Sequence, residues 1–394
     1  MAFRLSQRRI CNDGGVWVVI QALDIIGLLP IERHEGCLIA PFAWGRPADR
    51  QGDVGMTTAV RRNYDSVDVA KFVLSILVVA IHVRPFDGYA VFFRPILRTA
   101  VPLFFLISSY FFFNHHKDLS DLEERVLHIE KYVSRNLRLY LFWMLVFLMP
   151  TIRYRQWFSN GILNGLALWT RSFFTGSTFI ASWFIMAAVI ATVLVAVLSR
   201  YLSNGKLLLL SIIPFCACCL MSSYGNTAYM QAHMSVFAQS AGFSYNNYWV
   251  ALFWVIVGKM LAERTQHGTL NTKTLLLLSL LGIVALYGEQ FLIVSHGWAA
   301  ADDCYFSLPL LCVPLFLLLL SCDIRIGYAR FLRCTSTVTF CLHANLQFVL
   351  RDYCQVGVSQ NAMFAIVLIA SWALTLLILK LEKLPHLHWL RYSH

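Results

Sequence analysis

Charge is scarce in this chain. Of its 394 residues only 13% are Asp, Glu, Lys or Arg, 58% are hydrophobic, and the mean hydropathy is +0.62. Soluble domains carry about a quarter charged residues, so a water-exposed globule is excluded and a polytopic membrane protein is implied. The formal net charge of +11 then reads as loop charge on the cytoplasmic side of a bilayer, and no nucleic-acid partner is expected. The eleven cysteines are scattered, most of them within apolar runs. Cys216, Cys218 and Cys219 cluster without ligands at zinc-like spacing. Buried membrane cysteines behave as small apolar residues, so neither a metal nor a disulfide is expected. No internal repeat is visible, which weighs against an inverted-repeat transporter. The N-terminal stretch lacks a clean signal peptide: its apolar run at 16–30 is short, late and interrupted by Gln21 and Asp24. Met56 opens a conventional start, so residues 1–62 are read as an extension outside the fold, from a misplaced start codon. The membrane domain is expected at 63–384 and a cytoplasmic tail at 385–394.

What the chain does have is apolar windows at regular intervals. Spans are predicted near 67–83, 96–113, 137–151, 179–198, 207–222, 248–262, 273–295, 305–321, 335–350 and 361–379. The expected fold class is therefore all-α, a bundle of about ten transmembrane helices. With both termini in the cytoplasm, inside segments hold eighteen Lys and Arg against seven outside, leaving aside Lys71 within the first span. The outer loops at 223–247 and 296–304 hold none. Residues 114–136 are charged, with Leu122, Val126, Ile129 and Val133 at three- and four-residue steps, and read as an amphipathic interfacial helix. The ninth span is polar, carrying Thr335, Ser336, Thr337, His343, Asn345 and Gln347, and should face a cavity rather than lipid.

The first span concentrates chemistry. Asp68, Lys71, Ser75 and His82 lie inside an apolar run, and ionisable groups at such depth are costly enough to mark function. Lys71 and His82 are eleven residues apart, about three turns, so they share a face about 16 Å apart along the axis. Ser75 falls on the same stripe. Asp68, three residues before Lys71, is close enough to pair with it. His82 is the natural proton acceptor, since imidazole titrates near neutrality. Arg94 and Arg98 follow across a short loop, and Arg98 is the better placed to clamp an anionic donor. No G-x-S-x-G elbow surrounds Ser108, which reads as a packing residue.

These residues resemble the membrane-bound acyltransferase 3 family, ten-helix proteins that acylate surface carbohydrates and related envelope acceptors. The first helix of that family opens with Asp, then a basic residue, ten residues and a His, matched here by Asp68, Lys71 and His82. Val101, Pro102, Leu103, Phe104 and Phe105, followed by Ser108, Ser109 and Tyr110, resemble the end of its second helix. Ser182, Trp183, Phe184 and Ile185 look like its fourth span, and Ser336, Phe340 and His343 like its late signature. Two positions depart: Lys71 stands for the usual Arg, losing the bidentate fork, and Ser109 for the usual Gly. The resemblance implies transfer of an acyl group, acetyl foremost, from acyl-CoA as a donor substrate rather than a bound cofactor. It implies an envelope glycan or lipid-linked acceptor and a multi-pass protein of the bacterial plasma membrane. Catalysis falls to His82, Lys71 and Asp68, and donor or substrate binding to Arg98, Arg94, Ser75, Trp183 and His343. A proton-coupled transporter or flippase using the Asp68, Lys71 and His82 track is the alternative, and a non-catalytic envelope scaffold a third.

Overall fold

The computed structural model describes residues 64–176, 178–234, 247–265 and 271–394. The expectation of an N-terminal extension at 1–62 lies outside them, as do residues 235–246 of the outer loop predicted at 223–247. Every regular element among the described residues is helical.

Helix α1 runs Asp65–Val83. Asp65 and Asp68 in its first turn complement the helix dipole. It stops at Arg84, whose backbone is left-handed (φ 56) and whose N–H donates to Ala80 O at 3.0 Å. Pro85 follows and cannot extend the ladder. Helices α2 (Ala90–Leu97) and α3 (Ala100–His116) supply the second apolar stretch. Helix α4 runs Leu122–Val146 without interruption. It therefore merges the expected interfacial helix with the start of the third predicted span, because no breaker separates Val133 from Leu137. It bends by 72° into α5, Leu148–Arg155. Pro150 accounts for the bend: it lacks an N–H, and its ring collides with the carbonyl four residues back, at Val146.

Helix α6, Ile162–Thr175, lies in a stretch where no span was predicted. It ends at Gly176 (φ 72), where a Cβ would meet the Trp183 Cα at 2.9 Å. There follow α7 (Trp183–Leu198), α8 (Asn204–Ser222), α9 (Tyr248–Arg264), α10 (Thr272–His296), α11 (Leu308–Ser321), α12 (Ala329–Phe348) and α13 (Gln360–Leu381). Among the described residues, five stretches are long and apolar enough to cross a membrane, and the bent α4–α5 pair would make six. Helices α7 and α11 are apolar but shorter.

The polar α12 is the interior helix. Thr335, Ser336, Thr339, His343 and Asn345 on it are all buried, whereas α10 turns Leu276, Leu277, Leu280 and Leu281 outward. An apolar cluster of Tyr140, Trp143, Phe179, Ile185, Val338 and Leu342 joins α4, α7 and α12. Val79 and Val83 pack on Met363 and Val367 of α13. Helices α1 and α12 run parallel and in register. Arg333 meets Asp68, Ser336 donates to Lys71 O at 2.9 Å, and Gln347 donates to His82 O at 3.4 Å, each pair 265 residues apart.

Candidate active site

The register of α1 on α12 brings His82 opposite His343, with ring centroids 4.9 Å apart. His343 is 0% exposed. Its Nδ1 lies 2.7 Å from Phe340 O and 3.1 Å from Thr339 O. A carbonyl only accepts, so Nδ1 carries the proton and Nε2 of the neutral ring carries a lone pair. That Nε2 is buried and has no hydrogen-bond partner, a costly state for a polar atom. His82, by contrast, is exposed. Two imidazoles from helices remote in sequence thus face one another, one sealed in the bundle and one open. The turn after His82 is held tightly: Arg84 and Phe86 both have positive φ, and the Phe86 N–H donates to Asn361 Oδ1 at 2.8 Å.

The other predicted residues are distributed as follows. Asp68 does not pair with Lys71. Its carboxylate receives Arg333 Nη2 at 2.7 Å and Nε at 3.1 Å, and the guanidinium wins because its planar fork makes two bonds at once. Lys71 has no carboxylate within ion-pair range among the described residues; the Asp68 carboxylate is still the strongest charge acting on it, opposed by Arg333 and Arg135. Ser75 is buried and donates to Phe72 O at 2.7 Å. Its hydroxyl proton is engaged inside its own helix. Arg94 pairs with Asp302 at 2.9 Å and Arg98 with Asp303, and Arg98 stands within electrostatic reach of His82. Trp183 packs edge-on against Phe184 at 6.3 Å and tilted against Phe105 at 6.2 Å.

Four partners are not legible in the sequence. Arg333 reads there as loop charge, although it lies in the second turn of the polar α12. Asn345, two residues past His343, accepts from Ile180 N–H at 3.1 Å and donates to Ile180 O at 3.0 Å, pinning the 178–182 stretch to α12. Asp302 and Asp303 were unassigned. Their adjacency in a loop free of Lys and Arg was the available signal. Among the described residues no group of three His, Cys, Asp or Glu could hold a metal ion.

The comparisons with known proteins follow this geometry. The chain is 24% identical over 347 residues to an Enterococcus faecalis protein named an amino-acid racemase, covering 82% of this chain and 47% of that protein. It thus spans about half the length of that curated relative, whose name describes the longer protein. No solved structure matches. The family model described as an acyltransferase domain, Acyl_transf_3, matches residues 64–380, from the residue before α1 to the last turn of α13, and takes in both histidine-bearing helices; the chain belongs to the acyltransferase 3 family.

Proposed function

We propose that this protein is an integral membrane acyltransferase that moves an acyl group, acetyl foremost, from acyl-CoA to a hydroxyl of a cell-envelope carbohydrate or related acceptor. The observation that carries this reading is the His82–His343 pair, whose buried ring keeps an unengaged Nε2. Transfer to a hydroxyl needs a base for the acceptor proton and a positive group for the developing oxyanion. His82 is the accessible imidazole and takes the proton. The acceptor oxygen then attacks the thioester carbonyl carbon, and the tetrahedral intermediate expels the CoA thiolate. That thiolate recovers the proton from the His82 imidazolium. His343 acts through His82: a small ring rotation lets its Nε2 accept the His82 N–H, fixing the tautomer and supporting the imidazolium. Arg98, braced by Asp303, is the assigned partner of the oxyanion.

At the other end of α1, Lys71, Arg333 and Arg135 gather positive charge where the phosphates of an anionic donor would enter. The extended pantetheine arm suits the distance of about 16 Å to His82. The ten-span arrangement with both termini cytoplasmic fits this direction of delivery. It is supported by the parallel course of α1 and α12, the first and ninth spans of that reading.

The test is transfer from radiolabelled acetyl-CoA by purified protein in detergent without a gradient. The acceptors are envelope glycans, lipid-linked sugars and, given the name of the relative, hydroxyl amino acids. His82→Ala is expected to lower turnover at least about a hundredfold, the usual worth of a positioned base. His343→Gln is expected to shift the pH profile of turnover more than KM. Unchanged turnover in His82→Ala would overturn the reading, as would transport of unmodified substrate that depends on a gradient.

A further inference from the structure

Cys216, Cys218 and Cys219 share the last two turns of α8. The segment leading into α11 crosses this helix end and is stitched to it. Ala300 and Ala301 N–H groups donate to Ser222 O, each at 3.0 Å. The Asp303 N–H donates to the Ser222 hydroxyl at 3.0 Å, and the Cys304 N–H reaches the same oxygen at 3.3 Å. The Ser223 hydroxyl donates to Cys304 O at 2.5 Å. Ser223 N–H in turn donates to Cys219 O at 3.0 Å, so Cys304 is tied to the residue one turn above Cys219. Both cysteines are buried, the Cys304 side chain stands beside that of Cys219, and both are free in the structure.

We propose that Cys219 and Cys304 form a disulfide in the mature protein, clamping the 299–304 segment onto α8. Disulfides persist in oxidising compartments. Both flanking loops, 223–247 and 296–304, are free of Lys and Arg, which assigns this end of the bundle to the outer face. Both thiols are buried once the segment has packed, so the exchange belongs to assembly, before that packing. In it, the thiolate of Cys219 attacks the disulfide of an oxidised dithiol carrier and releases one carrier thiol. The thiolate of Cys304 then attacks the mixed disulfide at the Cys219 sulfur and releases the second. Two thiols become one disulfide, the carrier is reduced to two thiols, and the protons pass to the departing carrier sulfurs. The clamped segment bears Asp302 and Asp303, which hold Arg94 and Arg98, so the bond would fix the cationic side of the site without touching substrate.

Cells carrying the full chain are treated with N-ethylmaleimide before lysis, and the purified protein is digested without reductant for mass spectrometry. The expected species joins the Cys219 and Cys304 peptides, two hydrogens lighter than their reduced sum, and disappears on reduction. It should survive Cys218→Ser and vanish in Cys219→Ser. Recovery of both peptides unlinked and maleimide-labelled from never-reduced protein would overturn the assignment, as would linkage of Cys304 to Cys218. The readout is independent of acyl transfer, so it can fail while the enzyme reading stands, and the reverse.

Discussion

Asp68 and Arg333 are an unequal pair: the carboxylate side chain is 8% exposed and the guanidinium 58%. Removing Arg333 strands a buried charge, whereas neutralising Asp68 leaves a cation that water can solvate. Arg333→Ala should therefore lower stability by about 1–2 kcal/mol. That is below the cost of breaking a fully buried pair, because half the guanidinium is screened by solvent. Asp68→Asn should cost less. Thermal unfolding of the two variants in detergent checks the order, and equal losses would refute it. Gly258 shows a second residue-level dependence. A Cβ there would sit 2.0 Å from Ser109 Oγ, and that hydroxyl is already bonded to Phe105 O at 2.7 Å. Ser109 fills the space on one side, and the opposing glycine makes room for it. Gly258→Ala should cost about 1–3 kcal/mol through overpacking, and Ser109→Gly in that background should restore most of it. A double-mutant cycle with purely additive losses would refute the compensation.

At the level of elements, α12 shows what sequence makes legible and what it withholds. Its polar run foretold an inward-facing span, because unsatisfied polar groups are costly in lipid, and Thr335, Ser336, Thr339, His343 and Asn345 are indeed buried. The partner of each was not legible. Asp68 and Lys71 are three apart on one helix, which favoured a local pair, but the competing Arg333 comes from 265 residues away, and register between remote helices leaves no local trace. Pairing of His82 with His343 was invisible for the same reason. The run from 114 to 151 was split in two because its charge density changes, although backbone hydrogen bonding does not heed that change and α4 continues through it. Asn345 couples α12 to the loop before α7 through two hydrogen bonds to Ile180. Asn345→Ala should raise amide exchange at Ile180 at least about tenfold, the equivalent of about 1.4 kcal/mol in local opening. Unaltered protection there would show that the loop is held by other contacts.

For the whole molecule, the shared direction of α1 and α12 requires their corresponding ends to face the same compartment. Single cysteines placed at residues 88 and 357, in a background lacking native reactive thiols, should both label with a membrane-impermeant maleimide from outside intact cells. Cysteines at 119 and 325 should label only after permeabilisation. Opposite accessibility of 88 and 357 would break the parallel arrangement. The same pairing has a consequence for synthesis at the ribosome. The first membrane helix to emerge carries Asp68 and His82, but Arg333 and His343 arrive after most of the remaining chain has been made. Until then the early helix must lodge in the bilayer with its carboxylate uncompensated. A truncated product would lack both Arg333 and the second imidazole.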